Sequence, residues 1–178
     1  MEIEPIYLVG DFGVTIRGEY RDIEDDSVIA DGKFELIEHP SRVNDGNLVT
    51  QGFPFFAGSI KLSKTITLSK DEVSGRSIDF SRLCSTVTKL TVNGKTLPSM
   101  YWAPYSFNLD GLLVEGENTF EIELVSGFRN MLGPHHHGRN RTDTTPGSFM
   151  RKTKFWTWGN TGEFFETYCL TKLGIFLK

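Results

Sequence analysis

No stretch of this chain stays apolar for the roughly 20 residues that a membrane-spanning helix needs. With a mean hydropathy of −0.25, the expectation is a soluble protein with no membrane partner. Cysteine is scarce: Cys84 and Cys169 are the only 2 in 178 residues. They have no metal-type spacing, and neither has a flanking motif that would lower its pKa. The expectation is two buried thiols rather than a disulfide or a catalytic nucleophile. Basic charge is not in excess either. The net charge is −4 and the pI about 5.6, which predicts no basic face and no nucleic-acid partner. Met1-Glu2-Ile3-Glu4-Pro5 lacks the basic and apolar regions of a signal peptide.

Regular motifs of catalysis are missing as well. There is no phosphate-cradling Gly-rich loop, no Gly-x-Ser-x-Gly elbow, no His-Glu-x-x-His zinc site and no aromatic-basic nucleic-acid motif. No amphipathic helix is legible beyond one turn at Leu112-Leu113-Val114. No repeat, low-complexity tract or linker divides the sequence. Its length suits one domain with a substantial core, spanning residues 1–178.

What is abundant is aromatic and flexible: 14 Phe, 5 Tyr, 3 Trp and 18 Gly, a balance that favours strands joined by tight turns. Period-two alternation appears repeatedly. Leu8, Gly10, Phe12, Val14 and Ile16 share one phase, and Phe34 and Leu36 begin another after an Asp31-Gly32 turn signal. Ile60, Leu62, Ile66 and Leu68 share a face interrupted by Lys64, which either snorkels at a sheet edge or marks a bulge. Ile78 and Phe80 alternate; Leu90 and Val92 end at Asn93-Gly94, a hairpin signal. Tyr105, Phe107 and Leu109 share a face, as do Phe120, Ile122 and Leu124, with Glu121 and Glu123 turned to water. Tyr168 and Leu170 lose phase to Leu173, Ile175 and Leu177, which predicts a bulge near Thr171-Lys172. The segment from Ser126 to Met150 is the long irregular one, rich in Gly, Asn, Arg, Thr and Pro. The fold class expected is all-β, a sandwich or barrel.

The order of strands and turns from Thr88 to His137 carries a resemblance. Thr91-Val92-Asn93-Gly94-Lys95, Tyr105-Ser106-Phe107-Asn108-Leu109 and Phe120-Glu121-Ile122-Glu123-Leu124 lead into Arg129-Asn130-Met131-Leu132-Gly133-Pro134-His135-His136-His137. Together they resemble the sugar-binding jelly-roll domain of β-galactosidase and β-glucuronidase type glycoside hydrolases. They look more like the C-terminal β-sandwich of α-L-rhamnosidase-like enzymes. Gln51-Gly52-Phe53-Pro54-Phe55-Phe56-Ala57-Gly58, followed by Lys64-Thr65, is similar to the strand that opens that sandwich. Asn108-Leu109-Asp110 departs from the Asp-Ile-Thr of the wider group, while Phe107 keeps the inward phase. The resemblance implies a jelly-roll β-sandwich that is galactose-binding-domain-like. In such enzymes the acid and base lie on a separate barrel, so it also implies a non-catalytic module whose partners are carbohydrate and the parent's catalytic domain. No cofactor is expected, apart from a structural calcium such modules often hold; Asp22, Glu24, Asp25 and Asp26 offer hard oxygens without EF-hand spacing.

Candidate sites divide into three sets. Sugars present flat C–H faces that stack on amphipathic rings, which nominates Tyr101, Trp102, Trp156 and Trp158, the last two on one face if extended. Phe53, Phe55 and Phe56 read instead as core. Arg129, Asn130 and His135 are the candidates for polar contacts with sugar. The run His135-His136-His137 contains metal-type ligands but no Glu-x-x-His or Cys partner, and reads as a polar loop. Glu163 and Glu166 are the one carboxylate pair near tryptophans that would serve a complete small hydrolase. The function expected is a module that binds sugar through the aromatic platform or completes a neighbouring active site; the alternative is a structural domain that docks on a catalytic domain through the 126–150 loop and touches no sugar.

Overall fold

The computed structural model describes residues 7–23, 26–136 and 166–177. Strands dominate. The first two, β1 (Phe12–Ile23) and β2 (Ser27–Glu38), form a long antiparallel hairpin, and β10 (Tyr168–Thr171) pairs with the other edge of β2. A second sheet has the order β3 (Gly46–Asn47), β11 (Gly174–Leu177), β5 (Ser77–Cys84), β8 (Ser106–Asn108). The third is β4 (Ser59–Leu68), β9 (Gly116–Val125), β6 (Val87–Val92), β7 (Lys95–Thr96). The strand pairs in all three sheets are antiparallel. The only α-helical element among the described residues is one turn, α1 (Arg129–Leu132). The fold is all-β, as composition and alternation require.

One hydrophobic cluster draws on all three sheets. Val28 and Leu170 come from the first, Phe80, Leu83 and Phe107 from the second, and Leu90, Val92, Ile122 and Leu124 from the third. This arrangement fits a sandwich, with each side chain of this size contributing about 1.5–3 kcal/mol when fully buried. Phe53 belongs to the same core, and Phe55 and Phe56 pack against it. Cys84 and Cys169 are both buried, and neither is in a disulfide.

Asn93 (φ 49°) and Gly94 (φ 79°) both occupy the left-handed region and turn β6 into β7, as their identity demands. Lys64 sits opposite Phe120 in an unbroken register, on a strand at the sheet edge, so no bulge exists there. The Asp31-Gly32 signal does not make a turn. It lies inside β2, where Gly32 faces Gly18 of β1. A Cβ on Gly18 would overlap the Asp31 carbonyl, so the glycines serve a close backbone crossing rather than a reversal. β1 begins only at Phe12, leaving Leu8 and Val9 exposed before it. The phase loss after Leu170 is not a bulge either. The chain leaves the first sheet at Thr171 and enters the second at Gly174, so its two halves face different partners.

Candidate functional site

The loop between β7 and β8 presents Tyr101 and Trp102. Its start is anchored by Leu97 N–H on the Leu90 carbonyl (2.8 Å) and by a reciprocal pair between Thr88 and Met100 (2.9 and 2.8 Å). Its end is anchored where Phe80 N–H donates to the Tyr105 carbonyl (2.9 Å) and β8 joins β5. The Ala103–Pro104 peptide between the anchors is cis. Between these fixed points Tyr101 is 57% and Trp102 76% exposed, with ring centroids 5.7 Å apart and planes tilted by 37°. Large rings with a polar tip, left in water on a loop anchored at both ends, form a surface that a flat ligand can cover.

The other nominated polar residues sit elsewhere, on α1 and the chain that follows it. Asn130 is buried, and its amide makes two bonds of 2.7 Å to the backbone of Thr171, donating to the carbonyl and accepting from the N–H. His135 bonds through Nε2 to the Asn130 carbonyl (2.8 Å), which requires the Nε2–H form when the ring is neutral. Its own carbonyl accepts from Cys169 N–H. His136 Nδ1 lies 3.1 Å from the Thr167 carbonyl. These bonds clasp the chain around α1 to β10. Burial pushes the His135 imidazole below its ordinary pKa; the bond to Asn130 opposes this, while the charges of Arg129 and His136 add to it. The polar groups of Asn130 and His135 thus serve the clasp.

Aromatic rings close over it. Phe34 meets Phe55 at 4.7 Å and Tyr168 at 4.8 Å, both edge to face, and His135 lies 5.8 Å from Phe55 and 5.5 Å from Tyr168. No local pattern announces this cluster, because its members come from β2, the loop before β4, the end of the clasp and β10. Arg129 is half-buried and lines an open cavity of about 600 Å³ together with Phe56, Leu83, Cys84, Ser126 and Lys172. Phe128 and Leu132 also line that cavity, 65% and 47% exposed.

The carboxylates are occupied or dispersed. Asp22 pairs with Lys172 (3.0 Å) and Asp26 with Arg82 (2.8 Å), while Glu24 and Asp25 lie outside the described residues. Glu123 accepts from the Ser59 hydroxyl (2.7 Å) and from Lys89 (3.2 Å), in that order the main causes of its lowered pKa. Glu166 is exposed; Glu163, Trp156, Trp158 and His137 lie outside the described residues. Among the described residues no three His, Cys, Asp or Glu side chains converge on a metal-sized site, and no helix is long and apolar enough to cross a membrane.

No protein-family model matches the chain, and no curated protein does. Solved structures similar to part of it include two glycosidases. A rhamnosidase from Novosphingobium sp. PP1Y shares 18% identity over 67% of this chain and 10% of its own, with a TM-score of 0.42. A β-D-glucuronidase from Dictyoglomus thermophilum shares 14% identity over 67% of this chain and 20% of its own, with a TM-score of 0.34. Both neighbours are glycoside hydrolases, and this chain corresponds to a small part of the length of either.

Proposed function

We propose that this chain is a non-catalytic, jelly-roll type accessory module of a carbohydrate-active protein, and that it binds sugar through Tyr101 and Trp102. The observation that carries this reading is the exposed ring pair on a loop anchored at both ends. An indole left 76% exposed contributes little to the core, yet it offers a stacking face and an N–H donor to a ligand with C–H faces and hydroxyls. The resemblance of the Thr88–His137 segment to glycoside hydrolase sandwiches supports the same class. Trp156 and Trp158 remain candidates for the same platform, and Arg129 for a polar contact. The test is calorimetric titration of the chain and of Trp102→Ala with a panel of oligosaccharides. Saturable binding that weakens at least about tenfold in the variant supports the reading.

A second reading has its own observation. Phe128 and Leu132, exposed beside the cavity, suit a face that docks on a neighbouring domain. A flat response to every sugar, from a folded protein, favours that role.

A further inference from the structure

The loop that carries the ring pair also constrains what the pair would bind. Between Lys95 and Asp110 the chain has no Asp, Glu, Lys or Arg. The Asp110 carboxylate, at the far end, is occupied by Gly75 N–H at 2.9 Å. The span instead offers neutral polar groups: the Tyr101 hydroxyl, the Trp102 N–H, the half-buried Ser99, and the exposed Ser106 and Asn108. A ligand carrying charge on each residue would lose hydration there and gain no counter-charge from this loop.

The arrangement of the rings adds a second constraint. At 57% and 76% exposure, Tyr101 and Trp102 stand largely open to solvent among the described residues, which suits the flank of a chain better than an enclosed chain end. Their centroids are 5.7 Å apart, close to the length of one pyranose ring, so each can cover a different sugar of one chain. The 37° tilt suits consecutive residues that twist relative to one another. We infer that the ligand is an internal stretch of a neutral polysaccharide, with two successive sugars resting on Tyr101 and Trp102. This rests on the sugar-binding reading above and narrows its substrate class.

The experiment is calorimetry on the whole chain with a monosaccharide, neutral oligosaccharides of two to six residues, their parent polysaccharides, and a polyuronate. Affinity is expected to rise about tenfold from one residue to two or more. It should change little with added salt, because no ion pair is formed. Tyr101→Ala and Trp102→Ala should each remove most of the length dependence, with thermal melts showing both variants folded. A monosaccharide bound as tightly as the oligomers overturns the internal-stretch inference and leaves sugar binding intact. A preference for the polyuronate that fades with salt overturns the neutral-ligand inference alone. No binding to any member of the panel sinks both the inference and the reading beneath it. So does sedimentation that shows the ring pair buried in a dimer which Trp102→Ala dissolves.

Discussion

Two groups of aromatic rings in this molecule are built in opposite ways. Phe34, Phe55, Tyr168 and His135 come from four separate segments and interlock, four of their contacts edge to face. Tyr101 and Trp102 are adjacent in sequence, tilted, and turned to water. The first arrangement fixes distant parts of the chain to each other, and each ring is held by several others. The second leaves ring faces unused by the fold. Ring content alone therefore says little about role; what separates packing from presentation is how many segments contribute and whether a face stays open.

Substitutions should separate the groups in stability, and the largest effect belongs to the interlocked rings. Phe55→Ala removes contacts to Phe34, Tyr168 and His135 at once. It should cost about 3 kcal/mol in denaturant unfolding; a loss no greater than at Trp102 would erase the contrast. Asn130→Ala comes next. It strips the Thr171 N–H and carbonyl of their partner and should cost about 2 kcal/mol. Faster amide exchange at Thr171, with the sheet of β4, β9, β6 and β7 unaffected, would localise the damage.

Acid provides a subtler probe of the same clasp. The folded-state pKa of His135 lies below the ordinary 6.5, so near that pH the unfolded chain binds more protons than the folded one. Stability from this group is complete above about pH 6.5 and declines as the pH falls through the window below it. Thermal melts from about pH 8 to about pH 5 should show that decline, and His135→Gln should flatten it. The smallest effect belongs to the open pair. Trp102→Ala should change stability by no more than about 0.5 kcal/mol, and a substantial drop in melting temperature would mean that the ring serves the fold.

Local features were legible and long-range ones were not. The Asn93-Gly94 turn and the inward phase of Ile122 and Leu124 are dictated by residues within a few positions. Asp31-Gly32 resembles a turn because glycine serves both reversal and close approach, and only the opposing Gly18 decides between them. The change of sheet at Lys172-Leu173 looks like a bulge because both shift the alternation by one residue. The bond between Asn130 and Thr171 spans 41 positions, a pairing that no local pattern encodes. At the candidate site the sequence supplied the ring types of Tyr101 and Trp102. Their exposure came from the anchors at Met100 and Tyr105, which are tertiary.

The clasp has a consequence for how this chain tolerates change. His136 reaches the Thr167 carbonyl and Asn130 reaches the Thr171 carbonyl, contacts that span 31 and 41 positions of the chain. A single substitution at either residue therefore loosens two parts of the sequence from each other, while the hairpin of β1 and β2, bonded strand to strand, keeps its register.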